Sequence, residues 1–259
     1  MSYEFDGGSY EKASSHQREW GSQLIEELGL EGNERILDLG CGDGALTAAL
    51  ARRVPDGYVL GIDASLGMIE TARTKVADNL RFERQDINAL DRADEFDVVF
   101  SNATLHWIKD HANLLRRVFR ALRVGGVARF NFAAEGNCIH FFAVVRKAMT
   151  LPEYRPCFES FEWPWFMPSV EEYEVLMRCS GFAEFRVWGQ NADRVFPDAE
   201  TMIRWVEQPS LVPFLAHLPK TRRNRFHDFV VEQMVRETRR PDGTCFETFR
   251  RLNVLARKG

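Results

Sequence analysis

The stretch RILDLGCGDGALTAAL, Arg35 to Leu50, decides how the chain folds. A short apolar run ends in glycines, and small and apolar residues at helical spacing follow. Strand, tight turn and helix in this order is the layout of a nucleotide-binding loop, where backbone N–H groups at a helix start meet phosphate. Yet two carboxylates, Asp38 and Asp43, stand inside the loop where phosphate charge would lie. The ligand it suits must accept a close backbone and tolerate acid.

Working outward from this loop, strands and helices alternate. Strands are predicted at 35–39, 58–63, 80–85, 96–101 and 127–133, with helices at 45–54, 65–76 and 111–122 between them. An amphipathic helix, 15–28, precedes them, with Trp20, Leu24, Ile25 and Leu28 on one face. The βαβα rhythm implies parallel strands with right-handed crossovers, hence an α/β fold with a Rossmann-like doubly wound sheet. After Ala134 the rhythm breaks. Helices are expected at 136–149 and 170–180, around a Pro- and aromatic-rich segment, and again through most of Pro197–Arg240. Strand-like segments fall at 183–190 and 248–258. One domain over 1–259 is expected: an N-terminal lid helix at 10–30, a ligand-binding core at 31–135, helical cap segments at 136–180 and 197–240, and last strands at 181–191 and 248–258.

Composition narrows the function. The 259 residues, 45% hydrophobic, can build a sizeable core, and mean hydropathy of -0.32 is ordinary for a globular chain. A formal charge of -4 leaves no basic excess for a nucleic-acid backbone. No long apolar run suggests a membrane span, and MSYEFDGGSYEK has no secretory pattern, so a cytoplasmic protein is expected. The five cysteines are scattered and the histidines form no ligand motif, so neither a disulfide framework nor a metal site is expected.

Ligands of doubly wound sheets bind at the carboxyl ends of the strands. Asp38, Asp43, Asp63 and Asp86 all fall at or just after such ends. A dinucleotide would use Asp63 on its ribose but would be repelled by Asp38 and Asp43, and Gly44 comes one residue too early for G-x-G-x-x-G. A cationic nucleoside without phosphate removes both conflicts, and S-adenosylmethionine is one. Gly40 and Gly42 allow close approach of its amino-acid part, Asp38 attracts its ammonium, Asp63 accepts from the ribose hydroxyls, and Asp86 with Ile87 meets the adenine. Cys41, Ala64, Met68 and Asn102 complete this set, although turn chemistry alone would also place an Asn at 102, and Tyr10 could close over the cofactor carboxylate or be a surface residue. The plainer alternative is that each aspartate only caps a helix or tightens a turn.

In this order, ILDLGCGDG, GIDAS, QDI and FDVVFSNATLHWI resemble the successive motifs of class I S-adenosylmethionine-dependent methyltransferases. The resemblance spans about residues 10–135. It implies a mostly parallel seven-stranded sheet with an antiparallel last strand. YEKASSHQREWG (10–21) and NATLHW (102–107) are similar to the lid and post-strand segments of juvenile hormone acid methyltransferases, and WVEQPSLVPFLAHLP resembles trans-aconitate methyltransferase. That likeness implies that Gln17 and Trp107 hold an acceptor carboxylate. A carboxylate is already ionised at neutral pH and needs no general base; His106 keeps a base available for other acceptors.

The expected function is thus methylation of a small molecule, a carboxylic acid foremost, by a monomer or homodimer that uses no nucleic acid, membrane or metal. Other oxygen, nitrogen or carbon acceptors stay open, as do a nicotinamide-dependent oxidoreductase and a non-catalytic nucleoside-binding module. Gln17 and Trp107 could instead be a solvated and a core-covering residue, and His106 a packed imidazole. Trp163, Trp165, Phe166 and Met167 could line an acceptor pocket or simply build core. Lys220, Arg222, Arg223 and Arg225 read as a solvated helix face or as an attractor for anions.

Overall fold

The structure, a computed structural model, describes residues 15–259, with side chains from Trp20 onward except those of 208 and 209. Helix α1 (Ser15–Glu27) leads into β1 (Arg35–Leu39), α2 (Ala45–Arg53), β2 (Tyr58–Asp63), α3 (Leu66–Ala72), β3 (Leu80–Arg84), β4 (Phe96–Asn102), α4 (His111–Ala121) and β5 (Leu122–Ala133). Then come α5 (Ile139–Thr150), α6 (Arg155–Phe158), α7 (Val170–Arg178), β6 (Glu184–Asn191), β7 (Arg194–Phe196), α8 (Ala199–Trp205), α9 (Val212–His217), α10 (Lys220–Thr238), β8 (Cys245–Glu247) and β9 (Arg250–Arg257).

Seven strands form one sheet in the order β3-β2-β1-β4-β5-β9-β6. The pairs from β3 to β5 are parallel, and β9 runs antiparallel to β5. This is the sheet that the family resemblance implies. Both faces are covered, which is why β1, β2 and β4 read as near-continuous apolar runs. Leu37, Leu39, Val99, Phe130 and Phe132 pack with Leu114, Leu115 and Val118 of α4 and with Tyr173 and Met177 of α7. On the other face, Ile36, Val98 and Phe100 meet Leu24 and Ile25 of α1 and Leu50 of α2.

Two boundaries differ by four or more residues from the sequence reading. The helix expected at 65–76 keeps α-geometry only to Ala72 and finishes as a 3-10 turn over Arg73–Lys75. Strand β5 starts five residues before the expected Val127, pairing Leu122 with Phe96 across a bulge, because Gly125 at φ +80° lets the chain kink and resume.

The chain divides into two compact units. The sheet's unit contains the described residues through Glu135, with Trp165–Gln190 and Arg251–Gly259. The segment 165–180, expected with the cap, therefore belongs to the sheet, held by the fully buried Tyr173 and Met177. The second unit, Gly136–Pro164 with Asn191–Arg250, carries α5, α6 and α8–α10 plus the antiparallel pair β7–β8. Its core is aromatic: Phe141, Phe158, Phe214 and Phe226 are buried, and Trp163 meets Phe142, Phe161 and Phe214. Buried Glu247 accepts from the Phe141 N–H at 2.9 Å and from Thr248 N–H at 2.7 Å, so a carboxylate closes the start of α5. Among the described residues no helix is long and apolar enough to cross a membrane.

Candidate active site

The amides of the loop after β1 are taken up by the end of β2 and by the loop itself. The N–H groups of Gly40 and Cys41 donate to Ile62 O at 2.8 and 3.0 Å, and Gly44 N–H donates to Cys41 O at 3.0 Å. Gly42 N–H donates to Asp63 Oδ2 at 3.1 Å, and Ala45 N–H to Asp43 Oδ1 at 3.1 Å. Asp43 thus occupies the helix-start amide that a phosphate would need. Gly40 sits at φ +73°, and a Cβ there would lie 2.1 Å from Thr104 Cγ2. Gly42, at φ +54°, has nothing within 4 Å of its missing Cβ. One glycine is required by a neighbour; the other faces open space.

Asp38 is 2% exposed and accepts from Thr47 Oγ1 at 2.7 Å. Burial pushes its carboxyl up to about 7, against the Thr47 hydrogen bond and with help from the charge of Asp63. Such a group ionises readily once a cation arrives. Asp63 is half-buried and accepts from Gly42 N–H and, through Oδ1, from Ser65 N–H at 2.9 Å. Asp86 Oδ1 takes the Asn88 N–H at 2.8 Å and the Asn88 amide at 3.0 Å. Turn-tightening is therefore real at Asp43, Asp63 and Asp86, and only Asp38 has no local turn to serve. Met68 and Ile87 are buried, Ala64 half-buried; Cys41 is buried, and burial with nearby carboxylates holds its thiol well above its usual range.

Further along the strand ends, β4 closes on buried Asn102, whose register partner is Asn131 on β5. Ala103 N–H donates to Asn131 O at 2.7 Å, and Thr104 Oγ1 donates to Gly40 O at 3.0 Å. A 3-10 turn, Leu105–Trp107, then presents His106 and Trp107. Trp107 lies against Trp165, ring centroids 5.2 Å apart, and Phe166 N–H donates to His106 O at 2.8 Å. His111 holds the turn from behind: Nε2 bonds Leu105 O at 3.0 Å, so Nδ1 accepts from the Tyr173 hydroxyl at 3.0 Å. Burial pushes His111 down to about 4, keeping that tautomer neutral. His106 is half-buried as a residue, but its Nδ1 is enclosed and has no hydrogen-bond partner among the described residues. Burial first, then the charges of Arg251 and His111, hold its imidazole well below the usual range.

The structure thus brings Asp38, Gly40, Cys41, Gly42, Asp63, Ala64, Met68, Asn102, His106 and Trp107 to one edge of the sheet, with Asp86 and Ile87 after β3. Tyr10 and the side chain of Gln17 lie outside the described residues. The aromatic run divides: Trp165 and Phe166 brace the turn, whereas Trp163 belongs to the second unit. Lys220, Arg222 and Arg225 are exposed on α10. Sequence reasoning missed Thr47, Thr104, Asn131 and Arg251. For Arg251 and Asn253 a signal existed, the polar alternation in RRLNVLAR, but only the sheet shows that this polar face is buried.

Comparison with known proteins agrees with this edge. A methyltransferase-domain family profile matches residues 36–126. The YcgJ protein of Bacillus subtilis superimposes with a TM-score of 0.65 at 15% identity, covering 93% of this chain and 98% of its own, which shows the shared fold. The class is that of the S-adenosylmethionine-dependent methyltransferases. Among sequence relatives, trans-aconitate 2-methyltransferase of Deinococcus radiodurans is 34% identical over 75% of this chain and 76% of its own. Its namesake from Methylobacterium radiotolerans is 30% identical over 92% of each chain. The chain belongs to this family of class I methyltransferases, and S-adenosylmethionine is its cofactor.

Proposed function

We propose that the chain methylates a carboxylate oxygen of a small organic acid, trans-aconitate or an acid related to it. The observation that carries this reading is the charge at the acceptor end of the edge. A buried arginine lies near an imidazole whose basicity burial and that charge hold down, so the acceptor end offers positive charge and only a poor general base. An ionised carboxylate needs none.

Bound S-adenosylmethionine supplies an electrophilic methyl group on a sulfonium. Asp38 would pair with its ammonium, Gly40 and Gly42 let the backbone approach, and Asp63 would take the ribose hydroxyls. Met68 and Ile87 would flank the adenine, with Asp86 near its amino group. Trp107 would orient the acceptor by its indole N–H, joined by the amide of Gln17, and Tyr10 would close over the cofactor. Donors of this kind orient an oxygen without neutralising it, and alignment supplies most of the rate. We further infer a cytoplasmic monomer or homodimer that acts without nucleic acid or membrane.

The test is a panel of carboxylic, phenolic and amine acceptors, including trans-aconitate, with labelled cofactor. Carboxylic acids are expected to take label, and Gln17→Ala and Trp107→Ala to lower turnover about tenfold or more with cofactor affinity nearly unchanged. Label appearing only in phenols or amines would overturn the reading.

A further inference from the structure

Among the described residues, three that are not glycine have positive φ: Asp94, Ala103 and Cys138. Aspartate visits this region comparatively freely, because its short polar side chain can bond the nearby backbone. Ala103, half-buried at φ +58°, has no such group and carries the steric cost of its Cβ where glycine would carry none. Backbone strain of this kind persists only where the surrounding structure holds it.

What holds Ala103 is a change of neighbour. Up to Asn102, β4 keeps register with β5, and the Ala103 N–H adds one more bond on that side, to Asn131 O at 2.7 Å. One residue later the chain has turned to the opposite neighbour. Thr104 Oγ1 donates to Gly40 O, just after β1, at 3.0 Å, and the Thr104 methyl fills the space that a Cβ on Gly40 would need. The left-handed residue between them swings the backbone from β5 across to β1. The 3-10 turn starts from there: Thr104 O accepts the Trp107 N–H at 3.0 Å, while Phe166 N–H and His111 Nε2 hold the carbonyls of His106 and Leu105. The direction in which Trp107 leaves β4 is therefore set at Ala103.

Glycine at this position would reach the same φ without cost, but it would also reach the mirror-image extended region, which a Cβ closes. Alanine has only the narrow left-handed well on that side of φ, and it is less stable there than glycine.

We propose that Ala103 is a positioning residue for methyl transfer: its Cβ confines the backbone to the conformation that sets the acceptor turn, and with it Trp107, over the cofactor loop. It acts through the turn and trades stability for alignment. This rests on the reading of Trp107 as an acceptor contact.

Ala103→Gly and Ala103→Ser separate alignment from folding, because serine keeps the Cβ and glycine does not. With the acceptor that takes label in the panel above, kcat of the glycine variant is expected to fall about five- to tenfold. KM for that acceptor and calorimetric cofactor affinity should stay within about twofold. Its unfolding midpoint should equal that of the wild type or lie up to about 3 °C higher, since the steric cost is gone. Amide exchange at 103–107 should quicken severalfold, with the rest of the sheet unchanged. The serine variant should keep both kcat and amide exchange within about twofold of wild type. A residue that only supported the fold would lose activity together with stability. Full kcat in the glycine variant, a lower midpoint, unchanged exchange at 103–107, or an equal loss with serine each overturns the inference. Full turnover in Trp107→Ala overturns the underlying reading instead, whatever the variants at 103 do.

Discussion

The two ends of the sheet edge, proposed here as the cofactor and acceptor ends, are built on different length scales. In the loop from Asp38 to Ala45, side-chain partners lie close in sequence: Asp43 with Ala45 two residues away, Asp38 with Thr47 nine away, Asp63 with Gly42 twenty-one away. At the acceptor end, His111 and Tyr173 are 62 residues apart, Thr104 and Gly40 are 64, and Arg251 and Asn131 are 120. The cofactor end is therefore nearly a local motif, and the acceptor end is a product of the sheet. A family can keep the first unchanged while altering the second by substitutions scattered along the chain.

The sharpest way to separate the two ends is Asp38→Asn. It removes the charge for the cofactor ammonium but keeps an oxygen for Thr47, so cofactor affinity should fall on the order of 100-fold. Stability should not fall with it. Asp38 has its folded pKa raised to about 7, so its contribution is fully present below the unfolded value near 4 and is lost as pH rises through 7. A neutral asparagine avoids that loss, and thermal unfolding at pH 8 should show an equal or higher midpoint. Unchanged cofactor affinity would remove Asp38 from the site.

Next in size is Gly40→Ala, which strikes the junction of the two ends. Its Cβ would collide with Thr104 at a backbone angle that only glycine adopts freely, costing about 2–3 kcal/mol in denaturant unfolding. Gly42→Ala meets open space and should cost only about 1 kcal/mol, the price of φ alone. Combining Gly40→Ala with Thr104→Gly should recover part of the larger loss. Equal costs for the two glycines would mean that Thr104 does not press on the loop.

Acidification should weaken the cofactor end specifically. Below pH 7 the free enzyme holds Asp38 protonated, so binding the cation must release that proton. Cofactor affinity should drop by up to tenfold per pH unit there, with proton release visible as buffer-dependent heat in calorimetry. A flat profile between pH 5.5 and 8 would assign the ammonium to another group.

The smallest effect on function is expected at the acceptor end. Tyr173→Phe leaves His111 Nδ1 without its donor and should cost about 1–3 kcal/mol of stability, with a few-fold loss of acceptor turnover and unchanged cofactor affinity. A change in cofactor affinity would show that the brace extends across the whole edge.

What could be read without the structure follows the same division. The strand-turn-helix around Gly40, the alternation of strands and helices, and the placing of Asp38 and Asp63 at strand ends are short-range patterns, visible as apolar periodicity and punctuation by glycine. Periodicity cannot say which partner covers a polar face. Thr47 reads in the sequence as one more helix residue, and only the fold sets its hydroxyl on Asp38; nor does the aromatic run 163–167 show in the sequence that it divides between two units.

The amino-acid sequence by itself determined the class of sheet, the acidic glycine loop and hence a cationic nucleoside in place of a phosphate. Tertiary structure alone decided that the loop's amides are already used, that His106 is enclosed and neutral, and that Arg251 on β9 donates to Asn131 on β5. The physical reason is reach. Backbone conformation and local caps depend on residues a few positions apart, whereas burial and the charge a side chain feels depend on whatever distant segment the sheet sets beside it.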